Sequence, residues 1–322
     1  MKKISVYVPQ SAVMEAVTPA YRLFNTANQF LEAMGKDRAF EVEFVGLERH
    51  IKAQDGEYLI TTSKLLSDVK KTDMVVIPAL YGDLPNAIDQ NRSAIPWIVG
   101  MHENGAEVVS LCLGAFLLAE TGLIDGKRCS THWAYYDEFR KRFPKVEIVD
   151  GAIITDEGRI YSSGGANSIW NMLLYLLEKH TGRDIAILSA KYFAIDIDRD
   201  NQNAFTIFRA QKDHRDPEIL KAQQFIEDNF VEKITIDVLA DNVNVSRRSF
   251  ERRFKSATNN TVNEYVQRVR IESAKRNFEA SMKNVNEVMY DVGYTDTKSF
   301  RDVFKKITGL TPVEYRNKYS KN

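Results

Sequence analysis

Cysteine is scarce: Cys112 and Cys129 are the only two in 322 residues. Two thiols cannot make a disulfide framework, and a reducing compartment suits them. The five histidines add no H-E-x-x-H, and the cysteines no C-x-x-C, so no zinc-ligand spacing exists and neither metal nor cofactor is expected. Long apolar runs are missing as well, with nothing near the ~18 to 20 residues that a membrane span requires. The apolar stretch after Met1-Lys2-Lys3 is broken early by Gln10, Ser11 and Glu15, unlike a signal peptide. A cytoplasmic protein without a membrane partner is the expectation. An overall charge excess is also absent, Lys+Arg and Asp+Glu each totalling 44, so the average identifies no partner.

The charge is instead unevenly spread. Residues 246–322 hold 17 basic and 9 acidic side chains, net +8, while residues 1–245 hold 27 and 35, net −8. A basic last quarter on an acidic remainder points to nucleic-acid contact confined to that end. The length, with 44% apolar residues, is enough for about two buried cores.

Up to about residue 190, short β-branched runs alternate with amphipathic stretches, the pattern of βα units around a largely parallel sheet. Strands are predicted at Ile4–Val8, Phe40–Leu47, Met74–Ile77 and Val108–Leu111. Helices are predicted at Pro19–Met34 and Asn91–Asn104, the second closed by Gly105. Residues 196–217 are polar and aperiodic, a linker with one short strand near Phe205–Phe208. Beyond it the chain reads as helical; Pro217 suits a first turn, and Ile219, Gln223, Ile226 and Phe230 share one face. The expected domains are 1–195, α/β, and 218–322, all-α.

The second domain repeats itself. Sliding Asp237–Val266 by 50 residues onto Glu287–Arg316 aligns ten identities in thirty positions without a gap, among them Phe250 with Phe300, Phe254 with Phe304 and Tyr265 with Tyr315. Each copy reads as a short helix, a tight turn, a capped helix with a Phe pair at i and i+4, and a threonine opening the next helix: a helix-turn-helix unit. Ser246 and Asp296 fall at the N-caps of the second helices, and Thr261 with Glu264 forms a capping box. Gly293 lies in the turn of the second copy, where the first has Val243. With the phenylalanines turned inward, Arg247, Arg248, Glu251 and Arg252 project from the first reading helix, and Thr297, Lys298 and Arg301 from the second. Arginine can take guanine bidentately and glutamate can accept from cytosine, which makes double-stranded DNA the expected partner. A helix of about 19 residues between the copies, roughly 28 Å long, would hold the readers near one DNA turn apart.

Residues 218–317 resemble the AraC family DNA-binding domain through Ile236-Asp237-Val238-Leu239-Ala240, Ser246 to Lys255, Val269 to Ala274, Val292-Gly293-Tyr294, Ser299 to Lys305 and Gly309 to Arg316. The resemblance implies base readers at Arg248, Glu251, Arg252, Thr297, Lys298 and Arg301. Asn259-Asn260 and Met289-Tyr290 depart from the family's usual Thr-Gly and Ile-Ala.

In the first domain, Val108-Val109-Ser110-Leu111-Cys112-Leu113-Gly114-Ala115-Phe116 reads as a strand, a cysteine at a sharp turn, and a helix, the build of a nucleophile elbow whose helix amides favour a thiolate. Glu15, in the loop after the first strand, and His132 can meet Cys112 at the carboxyl edge of the sheet, forming a candidate ligand pocket. Each also has a plainer reading: a buried small apolar group for Cys112, a half-buried histidine, a surface carboxylate. Gly164-Gly165 ahead of a helix is a weak anion-binding pattern.

This domain, residues 3–190, is similar to the PfpI or class I glutamine amidotransferase-like superfamily, closest to versions fused to AraC domains, through Gly114 to Ala119, Gly122 to Gly126, Thr131-His132-Trp133 and Ser162 to Gly165. The resemblance implies a flavodoxin-like fold with a sensing or dimerising role. Protease-like members carry histidine directly after the cysteine; here Leu113 stands there, so no catalytic residue is assigned. The expected protein is a homodimeric transcription regulator answering a small molecule or a redox signal. The alternative is a thiol-dependent hydrolase or glyoxalase-like enzyme with a DNA-binding tail, and a third reading is a regulator whose α/β part only dimerises.

Overall fold

The first strand, β1 (Lys2–Tyr7), is buried from Ile4 onward on both faces, as a central strand of a parallel sheet must be. The computed structural model describes residues 1–197, 201–208, 210–212 and 214–320. Two compact units appear, Met1–Gln202 and Asn203–Asn322. After β1 come α1 (Met14–Ala33), β2 (Phe40–Gly46), the hairpin β3 (His50–Ala53) and β4 (Tyr58–Thr61), β5 (Lys64–Leu65) and β6 (Met74–Ile77). Then follow α2 (Leu84–Asn91), α3 (Ile95–Glu103), β7 (Glu107–Leu111), α4 (Gly114–Glu120), β8 (Arg128–Cys129), α5 (Tyr136–Arg142) and β9 (Glu147–Ile148). β10 (Ile154–Asp156), β11 (Ile160–Ser163), α6 (Ile169–Thr181) and α7 (Arg183–Phe193) complete the unit.

The main sheet runs β10-β11-β7-β6-β1-β2-β5, parallel except where β10 meets β11, which is the flavodoxin-like order. Side chains alternate between its faces. Ile4, Val6 and Val76 pack with Leu23, Phe24 and Leu173 on one side. Val75, Ile77 and Val108 pack with Ile88, Phe116 and Phe139 on the other.

Three local expectations need correction. Helix α1 begins at Met14 with Pro19 inside it, because Ala16 and Val17 extend the buried face N-terminal to the proline. The helix expected over Asn91–Asn104 starts later: Arg92–Ala94 is a 3-10 turn, α3 covers Ile95–Glu103, and Asn91 is the last residue of the preceding α2. Asn91 turns inward to accept from the Tyr7 hydroxyl at 2.6 Å and the Gln10 amide at 2.8 Å, and Pro96 opens α3. No strand forms among the described residues near Phe205–Phe208; Asn203–Phe205 is a 3-10 turn. The backbone there is bound by side chains: Lys275 Nζ donates to the Thr206 carbonyl, and Glu272 Oε2 accepts from the Phe208 amide at 3.1 Å.

The second unit is helical: α8 (Pro217–Asn229), α9 (Ile236–Asn242), α10 (Arg247–Thr258), α11 (Val262–Ala280), α12 (Val285–Asp291), α13 (Thr297–Thr308) and α14 (Pro312–Tyr319). One core gathers Ile219, Ile226, Leu239, Phe250, Phe254, Val262 and Tyr265. Another gathers Ile271, Ala274, Phe278, Val288, Phe300, Phe304 and Tyr315. Helix α11 enters both. Its glutamate and lysine at 272 and 275 form a buried pair 2.9 Å apart.

The caps fall where the repeat places them: Ser246 accepts from the Ser249 amide, Asp296 from the Ser299 amide, and capping boxes open α11, α12 and α14. Ser246→Ala and Asp296→Ala are each expected to cost about 1 kcal/mol. Urea denaturation monitored by helical circular dichroism checks this; unchanged midpoints would mean that the caps contribute nothing.

Candidate functional site

Helices α10 and α13 hold the same inward pair, Phe250 with Phe254 and Phe300 with Phe304, all fully buried. That burial turns Arg248, Glu251 and Arg252 of α10, and Thr297, Lys298 and Arg301 of α13, to solvent. Arg247, also exposed, is already engaged: its Nη1 lies 3.1 Å from Asp237 Oδ2 and its Nε 3.7 Å from Glu251 Oε1. Among the described residues no ion pair engages Arg248, Arg252, Lys298 or Arg301, so these four cations are available to an outside anion or base edge. Arg253 points the other way and grips Asp216 at 2.6 Å and Glu218 at 2.7 Å. Its guanidinium, hydrogen-bonded to Asp216, holds that carboxyl below the usual carboxylate range. Arg253 therefore ties the start of α8 to α10 and is not a reader. The two faces differ: α10 offers two uncommitted arginines, while α13 offers a lysine and an arginine beside exposed Asp302.

In the first unit, Cys112 follows β7 at the carboxyl edge of the sheet with φ of 52°, a left-handed turn that a non-glycine residue rarely adopts. Its amide donates to the Ser163 carbonyl at 3.0 Å, and Thr131 Oγ1 donates to its carbonyl at 3.1 Å. The elbow is built as its sequence implies, but the thiolate it was expected to favour is not. Burial pushes the thiol up to about 12, so Cys112 is protonated at neutral pH.

His132 sits one residue beyond Thr131, its Nδ1 accepting from the Ala134 amide at 3.2 Å and its ring against Trp133 and Tyr135. Burial lowers its pKa, which keeps the ring neutral and able to accept. Glu15 lies in the first turn of α1 rather than in a loop; it is exposed and accepts from Gln54 Nε2 at 3.2 Å. Among the described residues, no hydrogen bond joins Glu15, Cys112 and His132 to one another. Cys129 fills β8 and is fully buried.

Gly164-Gly165 is not an open anion cradle. A Cβ at Gly164 would overlap the amide of Gln202 and approach Ser130 and the Ala152 carbonyl. Gln202, 1% exposed, donates Nε2 to the Thr131 carbonyl at 3.0 Å and to the Ala152 carbonyl at 3.1 Å, and its Oε1 accepts from the Trp133 amide at 3.3 Å. It anchors the segment carrying His132. Sequence reasoning missed it, since a lone glutamine in a polar stretch has no periodic partner; only contact with the glycine pair reveals it.

An elbow-bearing flavodoxin-like unit followed by two helix-turn-helix modules with cationic second helices defines a two-part protein, an α/β domain joined to a double helix-turn-helix domain. Residues 2–179 match the family model described as DJ-1/PfpI family, and residues 239–318 one described as helix-turn-helix domain, which is of AraC type. The chain belongs to the DJ-1/PfpI family and carries that second domain behind it.

Among curated relatives, it is similar to the HTH-type transcriptional regulator ArgR of Pseudomonas aeruginosa, 29% identical over 215 residues, 66% of this chain and 65% of that protein. The match thus spans just under two thirds of that relative's length. Similarity to the HTH-type transcriptional regulator GbdR of the same species is 25% over 269 residues, covering 83% of this chain and 72% of the relative. Among solved structures, a transcriptional regulator protein from Vibrio parahaemolyticus superposes with a TM-score of 0.53 at 20% identity, over 59% of this chain and 98% of that one. Drosophila melanogaster DJ-1beta gives 0.51 at 18%, over 61% and 98%. These likenesses show the fold of the first unit.

Two measurements follow from the elbow. With its thiol near 12, Cys112 has about a thousandfold less thiolate at neutral pH than an unperturbed cysteine. Iodoacetamide labelling of the native chain, read by mass spectrometry, should be correspondingly slow at pH 7 and still accelerating at pH 9. A rate that levels off near pH 7 would contradict this. For His132 the folded pKa lies below the unfolded value near ~6.5, so its contribution is present above that value and lost as pH falls through the folded one. His132→Gln should therefore lose less stability than wild type between pH 7 and pH 5, and parallel curves would remove His132 from the account.

Proposed function

We propose that this chain is a cytoplasmic, homodimeric transcription regulator that reads specific double-stranded DNA and answers a small-molecule effector. In this reading residues 1–195 sense and self-associate, 196–217 link, and 218–322 bind DNA. The observation that carries the proposal is the duplicated module: two capped helices with identical buried phenylalanine pairs, each turning an uncommitted cationic face outward. No helix among the described residues is long and apolar enough to cross a membrane.

Base reading falls to Arg248, Glu251 and Arg252 in the first module and to Thr297, Lys298 and Arg301 in the second, with Arg247 orienting Glu251 through their ion pair. The first module supplies most of the discrimination, because a bidentate arginine on guanine separates bases by about 1 to 3 kcal/mol and a threonine or lysine does less. Two chains, self-associated through the first unit, would occupy paired sites on one face of the duplex.

Glu15, Cys112 and His132 border the proposed effector site. A small molecule is favoured over a redox signal, since oxidation proceeds through the thiolate that burial disfavours at Cys112. The same protonated thiol, with Leu113 where an activating histidine would stand, argues against a thiol-dependent hydrolase. The relatives' names, all transcriptional regulators, point the same way.

Selection of bound fragments from random duplexes tests this reading. The full chain should enrich a defined sequence. Arg248→Ala and Arg252→Ala should each cost about 1 to 3 kcal/mol on that sequence and relax the preference at one base pair. Enrichment of nothing above background would refute DNA reading, and an unaltered preference in either variant would take that arginine off the reading face.

A further inference from the structure

The ungapped repeat needs one correction at the turn: the opening helices α9 and α12 correspond with a shift of 49 residues and the reading helices α10 and α13 with a shift of 50. Val243 and Val292 are the equivalent C-caps, and left-handed Gly293, with φ of 80°, answers to left-handed Asn244, with φ of 54°. A Cβ at Gly293 would overlap the carbonyl of Val231, in the loop after α8. The loop after α8 thus abuts the second module's turn. Phe230, at the end of α8, packs against the second core rather than the first.

Arg270 lies between these pieces on α11. Just before it, Val266 and Val269 pack on the first core; from Ile271 onward the helix is buried in the second. Its Nε donates to the Phe230 carbonyl at 2.7 Å and its Nη2 to the Glu232 carbonyl at 2.9 Å. The guanidinium carbon stands 5.4 Å from the ring centroid of Tyr294, the residue after Gly293. Tyr294 is nearly buried and packs on Phe300, the first inward phenylalanine of the second reading helix, with ring centroids 5.3 Å apart. One planar cation therefore touches the first module's trailing loop through two carbonyls and the second module's turn through an aromatic face. Lysine could not reproduce this, having no second donor in a fixed plane.

We propose that Arg270 is the positioning residue that fixes the two reading helices relative to each other, and so sets the half-site spacing at which one chain engages DNA. It touches no base; it acts through the Phe230–Glu232 loop and through Tyr294 on α13. The inference rests on the DNA-reading function proposed above. Without the clamp, the modules remain joined by α11 but the second reader loses its fixed angle, so a duplex must pay in entropy what the protein otherwise supplies in advance.

The test uses the full chain and a duplex selected by the wild type, together with versions having one or two base pairs inserted or deleted between the half-sites. Wild type should bind the parent spacing best by about tenfold or more. Arg270→Met and Arg270→Lys should lose affinity for the parent while losing much less on the altered spacings, flattening the profile, and the slope of log K against log salt should fall as second-module phosphate contacts are lost. Tyr294→Leu, which removes only the aromatic face, gives a second route should Arg270→Met fail to fold. A merely structural role would lower melting temperature and leave the spacing profile intact; that outcome in the folded variants overturns the proposal. Failure of the wild type to select any duplex would strike the DNA-reading function itself.

Discussion

The second unit depends on one helix belonging to two cores. Val262 and Tyr265 of α11 are buried with Phe250 and Phe254, and Ile271, Ala274 and Phe278 are buried with Phe300 and Phe304. A continuous helix resists bending because each turn would have to give up its i to i−4 hydrogen bonds, and at 19 residues it spans roughly 28 Å. Each reading helix is fixed to α11 by an aromatic contact, Phe254 against Tyr265 and Phe304 against Phe278, and Tyr315 of α14 packs on Phe304 as well. Rotation of either reader would open a cavity in its own core, and large-to-small losses there run to about 3 to 5 kcal/mol for a phenylalanine.

Charge is allocated by the same geometry. Acidic and basic side chains both occur throughout the second unit, but burial and pairing decide which cations remain usable. Arg253 is consumed by Asp216 and Glu218, Arg270 by two carbonyls, and Lys275 by Glu272 and the Thr206 carbonyl. What remains on the reading helices is a short, directional set. The buried Glu272 and Lys275 also fix the segment at residues 206–208, a role that needs both charges present, since either alone would be left uncompensated.

The first unit keeps the architecture of a nucleophile elbow around a buried thiol. The strained backbone at Cys112 persists, held by the Ser163 and Thr131 hydrogen bonds, at a cost of the order of 1 to 3 kcal/mol typical of such conformations. Burial raises the pKa of the thiol above that turn, and the Leu113 amide offsets only part of the rise. Gln202 occupies the space left by Gly164 and fastens the strand of chain leading to His132. A fold of this kind supports several functions, and the residues at its edge, not the sheet, determine which.

The sequence alone was sufficient for everything governed by local periodicity and capping chemistry. Parallel strands read as apolar runs, helix starts at Ser246, Thr261 and Asp296 followed from side-chain oxygens placed to accept backbone amides, and the duplication placed both phenylalanine pairs inward. Such features repeat over a few residues, so neighbours along the chain suffice to specify them. Contacts between distant segments were decided by tertiary structure. Asn91 reaching Tyr7 at the end of α2, Gln202 seated against Gly164, Thr206 and Phe208 bound by α11 instead of a strand, and Glu15 drawn to Gln54 each depend on a partner many residues away. The need for glycine at 293, where the first copy has left-handed Asn244, likewise comes from Val231 packed against it, because excluded volume between remote parts of a chain leaves no local trace.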